Sequence, residues 1–224
     1  MIRLEKVSKA YKTPGGSRVV LNQASVTIPS GRNTGILGLN GAGKSTMLRL
    51  LAGCELPDSG RIMRTGRVSF PLGFEGGFHP RLTGRQNVAF ISRVYGKKPR
   101  KIFDFVAEFS ELGEYLLMPV GTYSSGMRAK LAFGVCLAIG FDLYLIDEIT
   151  EVGDARFREK CASYFAEYAL NSDIILVSHS TSSIRQHCDF GILLHQGALT
   201  LFDDIEEAIA FYSANIVGAE GAMA

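Results

Sequence analysis

Apolar positions along the chain predict short strands at both ends and helices between them. Ile2 to Tyr11 and Arg18 to Ile28 read as strands, separated by the turn-forming Thr13-Pro14-Gly15-Gly16-Ser17. Thr34 to Leu37 is a short apolar strand, and the helix-like run Met47 to Ala52 follows, with Gly53 placed to cap it. Pro57-Asp58-Ser59-Gly60 then turns the chain into two more short strand candidates, Arg61 to Arg64 and Val68 to Phe70.

The pattern changes at Pro71. Residues 71 to 81 (PLGFEGGFHPR) form a loop punctuated by Gly and Pro. Thr83 with Gln86 makes a capping box, opening a helix with Val88, Ile91, Val94 and Tyr95 on one face. Gly96 and Pro99 break it. Ile102, Phe105, Val106 and Phe109 mark a second helix, and Ser125 to Ile139 a third. From Phe141 strands and helices alternate again. Leu143 to Ile146 is a strand, Phe157, Cys161, Tyr164, Phe165 and Tyr168 line a helix, and Ile174 to Val177 is the next strand. Phe190 to His195 and Ala198 to Phe202 read as a hairpin turned at Gly197, with a closing helix from about Asp204 to Asn215. Alternating strands and helices predict a parallel sheet covered on both faces.

Composition narrows the class. The 224 residues suit one domain, with room for an inserted subdomain, and the tail 217–224 reads as flexible. A net charge of +2 provides no basic face for nucleic acid. Cys54, Cys136, Cys161 and Cys188 are far apart and form no CxxC pair, and three of them fall in apolar helical stretches, so buried reduced thiols fit better than metal ligands. No signal-peptide core stands at the N-terminus, and the longest apolar run, Leu131 to Phe141, has half the length of a bilayer span. Any membrane role is expected to come through a partner.

The chemistry centres on Gly38-Leu39-Asn40-Gly41-Ala42-Gly43-Lys44-Ser45, followed by Thr46. This is G-x-x-x-x-G-K-[ST] between a strand and a helix, the setting of a phosphate-binding loop. Its glycines let backbone N–H groups form an anion nest, and the helix N-terminus adds partial positive charge. Lys44 is placed to reach the β- and γ-phosphates and Ser45 to ligate Mg²⁺. Kinases, GTPases, helicases and transporters all use such a loop. Downstream, Leu143-Tyr144-Leu145-Ile146 ends in Asp147 and Glu148. Asp147 could hold Mg²⁺ through water beside Ser45, and Glu148 could polarise a water for in-line attack on the γ-phosphate. His179 follows the next strand, where a ligand crevice is expected in an open α/β sheet.

Tyr123-Ser124-Ser125-Gly126-Met127-Arg128 heads the third helix, with small and hydroxyl residues that suit an anion site. Here the sequence resembles the ATP-binding cassette (ABC) ATPases, whose signature LSGGQ stands at this place and spacing. The resemblance covers about residues 2 to 212. It implies an α/β P-loop NTPase with a mixed β-sheet core, an antiparallel β subdomain and an inserted helical subdomain. The core would take about 1–73 and 141–216 and the helical subdomain about 74–140. It also implies that Tyr11 stacks on adenine, that Asp154 closes a loop beginning at Ile149, and that His179 is a switch histidine. Two such chains would pair head to tail, each phosphate loop facing the other chain's Ser124, Ser125 and Gly126. The result is a homodimer with two composite sites for ATP and Mg²⁺, in which Glu148 is the catalytic base.

Departures from the family pattern narrow the branch. The signature carries Ser125 where Gly is usual and Met127 where Gln is usual. No glutamine stands at the Q-loop; Glu75 or the neighbouring Phe74 occupies that place, and Glu75 reads either as a water-mediated Mg²⁺ ligand or as a solvated loop residue. GGFHP at 76–80, LTGRQN at 82–87, YSSGM and Val152-Gly153-Asp154 resemble ATPase subunits that export capsular polysaccharide or related lipid-linked glycans. That branch implies a separate transmembrane permease, contacted by residues of about 71 to 100, at the cytoplasmic face of the inner membrane. A soluble cassette ATPase of translation or DNA repair is the competing reading, as is a cassette of another transporter branch.

Overall fold

The computed structural model describes residues 1–72, 77–147, 155–168, 172–178 and 180–217. In chain order its elements are β1 (Ile2–Thr13), β2 (Gly16–Ile28), β3 (Thr34–Leu37), α1 (Lys44–Ala52), β4 (Ser59–Arg64), α2 (Gly84–Val94) and α3 (Pro99–Ser110). Then follow α4 (Ser125–Ile139), β5 (Leu143–Asp147), α5 (Ala155–Tyr168), β6 (Asp173–Val177), α6 (Thr181–His187), β7 (Phe190–His195), β8 (Ala198–Phe202) and α7 (Ile205–Tyr212). They divide into two compact units: Met1–Pro71 with Leu143–Glu148 and Ser172–Ala224, and Leu72–Asp142 with Ile149–Asn171.

The first unit holds two sheets. One is antiparallel, in the order β2-β1-β4. The other runs β5-β6-β3-β7-β8, its first four strands parallel and β8 antiparallel to β7. The sheet is therefore mixed. Alternation alone predicts an all-parallel sheet, and the β7–β8 hairpin adds the exception because Gln196 and Gly197 take up positive φ (49° and 80°) in a two-residue turn. Between β1 and β2 the turn is equally tight: Thr13 pairs directly with Gly16, so both strands extend into the stretch expected to be turn. Val68 makes a single bridge to Leu143, and Val68 to Phe70 is not a strand.

The core of this unit packs Met47, Leu48, Leu50 and Leu51 of α1 against Ile36, Leu145, Ile175 and Ile192 of the parallel strands. Each of these side chains is fully buried, worth roughly 1.5–3 kcal/mol of transfer energy apiece. α1 ends at Gly53, whose φ of 77° suits the left-handed cap position. Arg64 donates to the Leu50 and Leu51 carbonyls at 2.5 and 2.6 Å, placing a cation on the negative end of the helix dipole.

In the second unit, Thr83 and Gln86 form the expected capping box, at 3.1 and 2.9 Å. The inward face of α2 is Val88, Ile91 and Ser92, with Tyr95 edge-on to Phe141, whereas Val94 is 64% exposed. Six residues past Val88 amounts to about 120° off that stripe, which is why Val94 leaves it. Pro99 sits at the first position of α3, where its missing N–H costs nothing. Phe109 of α3 stacks on Phe133 of α4 and meets Phe157 and Tyr164 of α5 edge-on at 5.1–6.0 Å. The closing helix α7 is shorter than expected: it stops at Tyr212 and continues as a wider turn over Ser213–Val217. No helix among the described residues is long and apolar enough to cross a membrane.

Candidate functional site

Parallel register builds the site. Ile36 of β3 and Asp147 of β5 both pair with Val177 of β6, so the ends of three adjacent strands lie level along one sheet edge. Asp147 is thus two strand spacings, roughly 9.5 Å, from the strand that feeds the loop at Gly38. Ligands bind at this carboxyl edge in open α/β sheets.

The loop itself curls on hydrogen bonds from Ala42 N–H to the Leu39 carbonyl (3.0 Å) and from Met47 N–H to the Gly43 carbonyl (2.9 Å). Gly43, at φ 107°, is the residue before α1, and it lies flat against Val20, where a Cβ would collide with that side chain. It has no side chain to cap the helix, so the first-turn N–H groups of α1 are available to an anion. Lys44 is 7% exposed, and its ammonium donates to the Gly38 and Leu39 carbonyls at 2.6 and 3.0 Å. Leu39, Asn40 and Ala42 complete the turn between strand and helix. A cleft of about 340 Å³ opens over the loop, lined among others by Tyr11, Arg18, Asn40, Lys44, Ser45 and Asp147. This donor set fits a polyphosphate, with an ammonium, a helix N-terminus and glycine backbone converging on one cleft. A hydroxyl (Ser45) and a carboxylate (Asp147) on its wall are the oxygen ligands that Mg²⁺ takes.

Tyr11 lies on that wall, tethered at its tip: its hydroxyl donates to Glu55 at 2.5 Å. Glu55 also accepts from Lys9 and Arg49, at 3.0 Å each. Burial alone would raise the Glu55 carboxyl; the hydrogen bonds from Tyr11, Lys9 and Arg49 outweigh it and pull the group down to about 2. The Thr46 hydroxyl, read from the motif as nucleotide-binding, accepts from Arg49 at 2.9 Å.

Ser124, Ser125 and Gly126 belong to the second unit. Ser124 is the N-cap of α4, accepting from Met127 N–H at 3.2 Å, and Ser125 and Gly126 form its first turn. Arg128 donates to the Tyr123 carbonyl at 2.6 Å, which holds the approach to the helix. Glu75, Glu148, Asp154 and His179 lie outside the described residues. Cys136, Cys161 and Cys188 are buried and Cys54 is exposed; desolvation pushes the Cys161 and Cys188 thiols up to about 12, which removes them as nucleophiles. Among the described residues no group of three His, Cys, Asp or Glu could hold a metal.

Sequence reasoning missed Arg18, Arg49 and Glu55. Arg18 pairs directly across from Tyr11 in the β1–β2 hairpin and donates to the Gly41 carbonyl, which brings its guanidinium to the cleft. The signal was the two-residue turn, since it sets which β2 residue faces Tyr11.

A family profile described as ABC transporter matches residues 21–151. The polysialic acid transport ATP-binding protein KpsT of Escherichia coli is 46% identical over 96% of this chain and 100% of its own. The capsule polysaccharide export ATP-binding protein CtrD of Neisseria meningitidis serogroup B is 48% identical over 95% of this chain and 99% of its own. Among solved structures, a dimeric post-hydrolysis ATP-binding cassette bound to ADP and Pi shares the fold with a TM-score of 0.71 at 21% identity. That match covers 89% of this chain and 96% of the other.

Proposed function

The chain belongs to the ABC transporter family, and on that premise we propose that it hydrolyses ATP to drive export of capsular polysaccharide, a lipid-linked glycan, across the inner membrane. Its partner in that work is a separate transmembrane permease, and the chain sits peripherally on the cytoplasmic face. The observation that carries the chemistry is the single cleft on which Lys44, Ser45 and Asp147 converge. Similarity of 46–48% along nearly the whole chain to subunits named for polysialic acid transport and capsule export supports the cargo.

In this reading each chain is one cassette over residues 1–216. Lys44 and the N–H groups from Gly41 to Thr46 hold the phosphates, and Tyr11 takes the adenine ring on its face. Ser45 and Asp147, with Glu75, hold Mg²⁺, which when bound neutralises charge on the phosphoryl oxygens. Glu148 takes the proton of the attacking water, and His179 hydrogen-bonds the γ-phosphate. Ser124, Ser125 and Gly126 of a second copy, presented at the N-terminus of α4, close over that phosphate, with Asp154 beside them. Hydrolysis removes the group that bridges the two copies, so the pair reopens.

Purification from membranes tests the assignment. Recovery with a permease whose deletion abolishes surface capsule is the expected result. Recovery with ribosomes or DNA would replace it with a soluble cassette ATPase.

A further inference from the structure

Arg49 stands in the last turn of α1, where an arginine ordinarily serves the helix dipole alone. Its side chain instead reaches three segments at once. One terminal nitrogen donates to the Thr46 hydroxyl at 2.9 Å and lies 3.4 Å from the Tyr11 hydroxyl, while Nε donates to Glu55 at 3.0 Å. The turn after Gly53 makes this possible. N–H groups of Cys54 and Glu55 both donate to the Arg49 carbonyl, at 3.0 and 3.2 Å, so Glu55 is folded back beside the residue it pairs with.

The Tyr11 ring is held on two further counts. Its hydroxyl is fixed on Glu55 at 2.5 Å. The Lys9 ammonium sits 5.3 Å from the ring centroid and is itself held by Glu55, the Leu56 carbonyl and Asp58 at 3.0–3.3 Å. The ring thus has a cation–π neighbour on β1 while it lines the cleft over the phosphate loop. A tyrosine two residues before a tight hairpin turn would otherwise sample several rotamers. Here it is pinned to the helix that begins at the phosphate loop.

We propose that Arg49 is a positioning residue that ties the Tyr11 ring to the phosphate-loop helix, so that base and phosphates are gripped by one rigid assembly. The proposal rests on the reading above that the cleft takes ATP and that Tyr11 stacks on adenine. Arg49 touches neither moiety; it acts through Tyr11. The planar fork of arginine is needed because its bonds run in two directions, which a lysine cannot reproduce.

The test uses the full chain and two probes, ATP and inorganic tripolyphosphate, which has the phosphates without the base. Arg49→Met is expected to weaken ATP binding by about fivefold, within the range of losing an ordered base–aromatic stack. Tripolyphosphate affinity should stay within about twofold, which also shows that the loop remains folded. Arg49→Lys should behave like Arg49→Met, and the double variant Tyr11→Ala/Arg49→Met should bind ATP no more weakly than Tyr11→Ala. Equal losses for ATP and tripolyphosphate, or additive losses in the double variant, overturn the proposal. An unmodified chain that binds tripolyphosphate and ATP equally well overturns it through the stacking premise. An unmodified chain that binds neither probe sinks the ATPase reading beneath it.

Discussion

The Lys44 ammonium lies 2.6 Å from the Gly38 carbonyl oxygen, folded back over the loop that carries it. A buried ammonium that donates to carbonyls of its own loop can exchange them for a stronger acceptor, and a phosphate oxygen is one. Lys44→Ala should therefore lower ATP hydrolysis at least about 100-fold, the usual scale for removing one preorganised electrostatic contact. It should also abolish ATP-dependent pairing. Phosphate release and gel filtration with and without ATP check this, and a variant that pairs normally with ATP would sever binding at the loop from dimerisation.

Gly43 cannot accept a side chain. Its φ of 107° strains any other residue, and a Cβ would strike Val20. Gly43→Ala should destabilise the fold by about 1–3 kcal/mol in urea titrations and remove nucleotide binding. Adding Val20→Ala relieves the collision but not the backbone strain, so nucleotide binding should stay absent in the pair. Full recovery in the double variant would mean that packing alone sets the loop.

Glu55 makes stability depend on acid. Its carboxyl falls from 4.5 in the unfolded chain to about 2 in the fold, where it faces Tyr11, Lys9 and Arg49, with Asp58 on the far side of Lys9. A depressed carboxyl stabilises the fold fully above the unfolded value. That contribution is lost as pH falls from about 4.5 towards about 2. Glu55→Gln should lose on the order of 1 kcal/mol at neutral pH, allowing for the solvent that reaches the cluster, and should flatten this acid limb. Identical limbs for both proteins in urea unfolding between pH 3 and pH 7 would rule Glu55 out as the titrating group.

Composite sites can be tested by mixing. Ser124→Asp keeps a good N-cap for α4 but sets a carboxylate at the signature. It should be folded and inactive, as should Lys44→Ala. Together they form heterodimers with one intact site, because the phosphate loop of one meets the unaltered signature of the other. Mixed activity should recover to between roughly a quarter of the unmodified rate, for random pairing, and about half, if Lys44→Ala does not pair with itself. No recovery in steady-state phosphate release would argue that each chain works with its own signature.

Local rules were enough where a motif is contiguous. The span from Gly38 to Thr46 announces its loop because the glycines, Lys44 and Ser45 carry out their roles within nine residues of chain. Thr83 with Gln86 announced its capping box for the same reason. Val94 was misplaced because two apolar residues close in sequence can lie on different faces of one helix. Val68 to Phe70 has strand composition, but only the bridge to Leu143 finds a partner. Neither outcome is visible without neighbours.

The sequence by itself determined the nucleotide loop, the acidic strand end at Asp147, the small and hydroxyl residues from Ser124 to Gly126 at the head of a helix, and the alternation of strands and helices. Each depends on residues adjacent in the chain. Only tertiary structure decided what surrounds Tyr11. Parallel register set Asp147 level with the loop strand, a two-residue turn set Arg18 opposite Tyr11, and the fold-back after Gly53 brought Glu55 to Arg49. Hydrogen bonds over 38 and 44 residues of sequence separation join these groups. No local pattern encodes such pairings, because their geometry exists only once the sheet and α1 have packed.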